Sequence, residues 1–313
     1  MIATHLILFL FVGANAKGQL MDAVPGKLRS WTSEADGLLP SQIFVPLVRS
    51  ADDAQGRSPV ILFLHGGGDG PFHIMNKQSL PSLLLSNHSF ASVFPFVVLC
   101  PCSTCTKSGS RGWTSSTFGK VVSLLELAMK HAHGDPKRVT LTGQSMGGGG
   151  LWHYAARQGV WAALVPVVST EDPNPRPLLQ PADNCEFESQ FSQCAAIRPS
   201  QELADAACCN DAFAYASRAD CCPPVWAFHG ANDAVVPASF TDRWVDLLRA
   251  QPHRGQEVRY TRYPDAPPPP MKEFSSLVGH GSYEFAYRDP ALYSWLLTQR
   301  CERCHPRGSD VKP

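Results

Sequence analysis

The stretch TLTGQSMGGGGLW, residues 140–152, runs from a β-branched apolar pattern to a lone serine among glycines, then into an apolar, helix-like segment. A chain that ends a buried strand with this much backbone freedom is making a sharp turn. A nucleophilic hydroxyl needs such a turn, because it must stand clear of its own backbone for a carbonyl carbon to approach. The turn forces strained backbone angles and crowds its flanks, and small residues two before and two after the serine relieve that crowding. Gly143-Gln144-Ser145-Met146-Gly147 has this form, with the strand pattern RVTLT before it and a helix pattern reaching about Arg157 after it. Ser145 is therefore the expected nucleophile.

A serine hydroxyl is a poor nucleophile at neutral pH and needs a base, itself oriented by an acid. In a strand–turn–helix hydrolase sheet the acid follows a later strand and the histidine comes last. Asp233 follows the buried run VWAFHG, and His280 lies in VGHGSYEF after the strand pattern EVRYTRY. The order Ser145, Asp233, His280 meets that requirement. Taken singly, Asp233 also reads as a turn or cap residue and His280 as a surface loop residue. His65 and His229, each before a glycine at a strand end, read as loop-shaping residues, and His153 as a packing or surface residue. A histidine base predicts activity that falls as the imidazole takes a proton, around the reference value of about 6.5.

The developing oxyanion needs donors already in place. The backbone N–H of Met146, first in the helix, is one, and the helix dipole favours it. The other is expected from the loop His65-Gly66-Gly67-Gly68-Asp69-Gly70 after the strand VILFL, with Gly67 the first choice and Gly68 the second. Gly68, Gln144 and Trp113 are the substrate-contact candidates, although Trp113 reads equally well as a core tryptophan.

Strand patterns at QIFVPLV (42–48), SPVILFLH (58–65), PFVVLCP (95–101), KRVTLTG, WAALVPVVS (161–169), PVWAFHG and QEVRYTRYP alternate with helix patterns. The helices are read at FGKVVSLLELAMKHAHGD, after Ser145, at PASFTDRWVDLLRAQ, and as one final helix YEFAYRDPALYSWLLTQR. This alternation predicts an α/β fold with a mostly parallel central sheet covered by helices on both faces. Two stretches break the rhythm: a cysteine-rich insertion at about 171–223, and a loop from DAPPPP (265–270) to about His280.

The chain has 313 residues, 44% hydrophobic and 17% charged, enough for a sizeable core and too few charges for a disordered chain. Lys+Arg and Asp+Glu balance at 27 each, which argues against a nucleic-acid or anionic-membrane partner. The opening MIATHLILFLFVGANAKG reads as a secretory signal over residues 1–16, cut before Lys17, without a basic residue near its start. It is too short to span a bilayer comfortably, so the mature chain is expected to be secreted and to have no integral membrane span. Residues 17–313 are then expected to form a single α/β domain with a charged tail at about 300–313. Eleven cysteines fit an oxidising compartment, and the odd count leaves at least one thiol free or paired between chains. Cys100, Cys102 and Cys105 read as disulfide-forming in preference to a zinc site, and Cys301-Glu302-Arg303-Cys304-His305 as a chance match to a haem-attachment pattern. Asn87-His88-Ser89 is a glycosylation acceptor in a eukaryotic secretory pathway.

The segments ILFLHGGGDG, GQSMGGGGLW, VWAFHGANDAVVP and GHGSYEFAYRDPALYSWLL resemble those of α/β-hydrolases. They are similar to the secreted carboxylesterase group with its feruloyl-esterase-like and polyhydroxybutyrate-depolymerase-like enzymes, and also to the phospholipase/carboxylesterase group. The resemblance covers about residues 40 to 300, with the blocks in the expected order. It implies an acyl hydrolase that uses Ser145, Asp233 and His280, needs no cofactor or metal, and takes a small-molecule or polymer-borne ester. The stretch CPCSTCTKSGSRGW resembles the group's proline–cysteine–glycine–tryptophan loop near the acyl pocket, which makes Trp113 a wall candidate. The cysteine-rich insertion departs from the pattern and reads as a cap over the site or as a structural excursion. Two other functions stay open: a peptidase of the same fold, and a secreted binding protein on an inactive hydrolase fold.

Overall fold

The computed structural model describes residues 23–48, 53–67, 72–106, 112–155, 161–172, 223–250 and 257–301. The expected signal segment (1–16), Gly68, residues 173–222 of the cysteine-rich insertion and the tail beyond Cys301 lie outside these residues.

The strands are β1 (Arg29–Thr32), β2 (Ser41–Phe44), β3 (Ser58–Leu64), β4 (Val97–Pro101), β5 (Gly134–Gln144), β6 (Ala163–Val167), β7 (Val225–Gly230) and β8 (Val258–Tyr263). They form one eight-stranded sheet in the order β1-β2-β4-β3-β5-β6-β7-β8. β2 pairs antiparallel with β1 and β4, and every pairing from β4 to β8 is parallel. The parallel part is the sheet that the alternation predicts.

The apolar runs are continuous because both faces of the sheet are covered. Side chains alternate across a strand, so Val60, Leu62 and Leu64 enter one core while Ile61 and Phe63 enter the other. The first core is closed by α4 (Ser115–His131), α5 (Met146–Ala155) and α6 (Ser239–Arg249), through Val121, Leu124, Ala128, Leu151, Trp152, Trp244 and Leu248. The second is closed by α2 (Ser79–Ser86), α3 (His88–Val93), α7 (Tyr283–Ala286) and α8 (Pro290–Leu297), which follow the single-turn α1 (Phe72–Met75). Each fully buried Leu, Ile, Val or Phe contributes roughly 1.5–3 kcal/mol, so the two cores together hold the sheet rigid.

Three elements differ from the sequence reading. The expected final helix is two helices, broken at Pro290. Its ring removes an N–H and would clash with the preceding turn, while Asp289 is extended and caps α8 by accepting from the Ala291 N–H. The strand expected over 42–48 stops at Phe44, before Pro46, which has no N–H for a ladder. α4 begins at Ser115, ahead of the apolar spacing, because Thr114 and Thr117 form a capping box there. β1 and the helices α1–α3 are short, four to eight residues each, and add to the elements that the sequence patterns predict. Among the described residues no helix is long and apolar enough to cross a membrane.

Parallel strands all present their carboxyl ends at one edge of the sheet, and loops there converge. Ser145 follows β5, Asp233 follows β7 and His280 follows β8.

Candidate active site

Ser145 sits between the last residue of β5 and the first of α5 with φ +53°, a left-handed conformation that is costly for a non-glycine residue. The surroundings enforce it. The Ser145 N–H donates to the Val167 carbonyl of β6 at 2.9 Å, and its own carbonyl accepts from the Gly149 N–H at 3.0 Å. Gly147 is pressed against the end of β3: a Cβ there would lie 2.1 Å from the Leu64 carbonyl oxygen, so the turn admits no side chain at this position. The same contact brings the loop carrying Gly67 beside the amino end of α5. Met146 opens that helix, so its N–H is one of the terminal donors with no acceptor inside the helix.

His280 Nε2 lies 3.0 Å from Ser145 Oγ, and its Nδ1 lies 2.9 Å from Asp233 Oδ2. An ionised carboxylate accepts only, so Nδ1 carries the hydrogen and Nε2 is left as the acceptor facing the serine. Asp233 Oδ1 accepts the N–H groups of Val235 and Val236 at 2.8 and 2.9 Å. Burial pushes the Asp233 carboxyl up, but His229 first and His280 next more than offset it, holding the group below the usual carboxylate range.

The loops bearing these residues are tied to each other. Gly279 has φ +80°, and a Cβ on it would lie 2.4 Å from the Asn232 carbonyl, so glycine lets the histidine loop lie flat on the acid loop. The Ala234 N–H donates to Val278, and the Gly281 N–H to Pro267 at 2.8 Å. Asn232 donates to Asp265 Oδ1 and to the Ala266 carbonyl, and accepts from the Ala266 N–H. The proline loop is thus a brace for both acid and base. Sequence reasoning missed Asn232 in this role, since its partners are more than thirty residues away.

On the other side, His65 is fully buried at the end of β3. Its Nδ1 donates to the Gly66 carbonyl at 2.8 Å and its Nε2 accepts the Ser103 N–H at 3.1 Å. Ser103 lies inside the loop closed by the Cys102–Cys105 disulfide. Burial pulls the His65 imidazole down to about 4, against a smaller opposing effect of the Gly66 carbonyl, so the ring is neutral near pH 7.

Of the substrate-contact candidates, Gly68 lies outside the described residues. Gln144 is turned to α2, where its Oε1 accepts from Ser79 Oγ, and the Ser79 N–H donates to Glu284 Oε1 at 2.6 Å. Trp113 takes the second of the two places left open for it. It is 5% exposed, belongs to the first core, and donates to the His65 carbonyl at 2.9 Å.

Cys102 and Cys105 bond each other and Cys100 is a buried free thiol, so these three do not make a zinc ligand set. Cys301 is also disulfide-bonded, which removes the thiol that a haem attachment would use. Among the described residues no group of three or more His, Cys, Asp or Glu side chains is arranged to hold a metal ion.

No family model and no curated protein matches the sequence. Solved structures do match. A thermostable esterase is 20% identical with a TM-score of 0.53, over 84% of this chain and 59% of its own. The apo form of esterase 2 from Thermogutta terrifontis is 13% identical with a TM-score of 0.50, over 87% of this chain and 90% of its own. At these identities the likeness is one of fold. The chain has the α/β-hydrolase fold, and it spans 59% of the length of the thermostable esterase.

Proposed function

We propose that the protein is a serine esterase that cleaves carboxylic esters through Ser145, His280 and Asp233. The observation that carries this reading is the unbroken chain of contacts from Ser145 Oγ to His280 Nε2 and from His280 Nδ1 to Asp233. His280 Nε2 takes the Ser145 proton as Oγ attacks the ester carbonyl, and the carbonyl oxygen becomes an oxyanion held by the N–H groups of Met146 and Gly67. Collapse breaks the bond to the alkoxide, which leaves with the proton from His280. Water then loses a proton to His280, attacks the acyl-enzyme and releases the carboxylic acid, with the proton returning to Ser145. Asp233 stays ionised throughout and stabilises the imidazolium.

The purified chain is expected to hydrolyse p-nitrophenyl acetate and to be labelled by a fluorophosphonate on Ser145. A panel of esters of graded acyl length, set beside p-nitroanilides, separates the alternatives. Preference for anilides over the matching esters favours a peptidase, and absence of both turnover and labelling favours a binding protein.

The reading extends to a secreted protein cut before Lys17 and glycosylated at Asn87. Asn87 supports this by its exposure at the start of α3, where the cap uses the side-chain oxygen, accepting from the Phe90 N–H at 3.0 Å. Expressed in a eukaryotic secretory host, the chain is expected in the medium with Lys17 as its amino terminus. A glycosidase should lower its mass in the wild type and leave Asn87→Gln unchanged. Retention in the cells with Met1 intact would overturn the secretory reading.

A further inference from the structure

The Asp233 carboxylate meets two imidazoles. Oδ2 faces His280 Nδ1 at 2.9 Å and, from β7, His229 Nε2 at 3.4 Å. His229 belongs to β7 and is fully buried, as is the Asp233 side chain, so no solvent stands in for a lost donor. His229 Nε2 also lies 3.0 Å from the Val236 carbonyl oxygen. A carbonyl accepts only, so Nε2 carries a hydrogen and donates it to that oxygen, with Asp233 Oδ2 3.4 Å from the same nitrogen. The other ring nitrogen, Nδ1, is bonded to Thr241 Oγ1 of α6 at 2.7 Å. The ring is therefore fixed at both nitrogens, with Nε2 held beside the carboxylate. Among the described residues, the titratable groups in contact with Asp233 are His229 from β7 and His280 from the loop after β8.

We propose that His229 is a positioning residue of the esterase site: it holds Asp233 Oδ2 in line with His280 Nδ1. The proposal rests on the esterase reading above. The geometry states why a second imidazole is needed. The N–H groups of Val235 and Val236 both bind Oδ1, so Oδ2 takes no backbone donor and is placed by side chains alone. His229 is the second side chain at Oδ2, and by also binding the Val236 carbonyl it fastens the loop that supplies those two N–H groups. His229 does not touch the reacting atoms and acts through Asp233 alone.

The test is a double-mutant cycle on p-nitrophenyl acetate hydrolysis, with kcat and KM measured for each purified variant. His229→Leu is expected to lower kcat about 10- to 100-fold, the scale on which an ångström of misplacement of a catalytic group is felt, with KM little changed. His229→Gln keeps an N–H donor near the Nε2 position and is expected to recover most of the loss. In an Asp233→Asn background, His229→Leu is expected to cost less than about threefold more, because its route to the reaction is already gone. A residue that only fills the core would lower kcat equally in both backgrounds. Should His229→Leu fail to fold, Thr241→Val carries the same comparison, since it frees the far end of the ring. Full kcat in His229→Leu, or equal losses in the two backgrounds, would overturn the role of His229. A wild type with neither turnover nor labelling at Ser145 would overturn the esterase reading, and this role with it.

Discussion

Ser145→Ala is expected to lower kcat on p-nitrophenyl acetate by about 10⁴- to 10⁶-fold and to abolish fluorophosphonate labelling, with the fold intact. His280→Ala is expected to cost a similar factor, and the double variant little more than either alone. The reason is that the two residues act as one unit: an imidazole facing an alanine methyl has no proton to take, and a serine without a base has nowhere to send its proton. The 3.0 Å contact between Ser145 Oγ and His280 Nε2 is what makes the losses overlap. A residual rate above that in water is expected in both, because neither substitution alters the backbone N–H groups proposed to hold the oxyanion. Circular dichroism and a thermal scan on each variant separate lost chemistry from lost structure. Ser145→Ala retaining activity within tenfold of wild type would mean that another nucleophile does the work.

Acid is expected to weaken the fold through His65 before it does so through the carboxylates. In the unfolded chain a histidine takes up a proton below pH about 6.5. In the folded protein the buried His65 stays neutral down to about 4. Between those values the unfolded state holds more protons, so stability falls as pH is lowered through that window and loses nothing further from this residue below it. The gap corresponds to a loss on the order of 3 kcal/mol, large against the 5–15 kcal/mol of a typical domain. Asp233, whose carboxyl is held below its ordinary value, contributes stability that is lost as pH falls below about 3.8, outside the window. Urea unfolding at pH 7, 5.5 and 4 is expected to show the decline in wild type and a clearly flatter profile in His65→Gln. Identical profiles in the two proteins would contradict the assignment. The site has a stake in this, because protonated His65 cannot accept the Ser103 N–H, and the loop carrying Gly67 would lose that anchor.

Much of this molecule is local in origin and therefore legible in one dimension. The continuous run at Ser58–Leu64 announces a strand covered on both faces, and the glycines around Ser145 announce a turn that no bulky sequence could make. Order alone singles out Asp233 and His280, each just beyond a strand pattern, and they lie within hydrogen-bond reach of one another. Apolar spacing continues across Pro290 and so reads as one helix, while the ring at that position forbids the backbone to continue. Trp113 reads alike as pocket wall or core, since an indole suits either place, and only the packing puts it in the first core.

By itself the sequence determined the alternation of strands and helices, the strained turn at Ser145, and the order in which Ser145, Asp233 and His280 follow their strands, because each depends on neighbours a few residues apart. Only the tertiary structure decided which groups meet. The contact from His280 to Ser145 spans 135 residues of chain and that from His280 to Asp233 spans 47, and neither distance is encoded in any short pattern. The second imidazole on Asp233 and the Ser103 anchor of His65 are of the same kind. A parallel sheet gathers the ends of distant strands at one edge, so the partners of a side chain there are set by strand order and register rather than by the residues beside it.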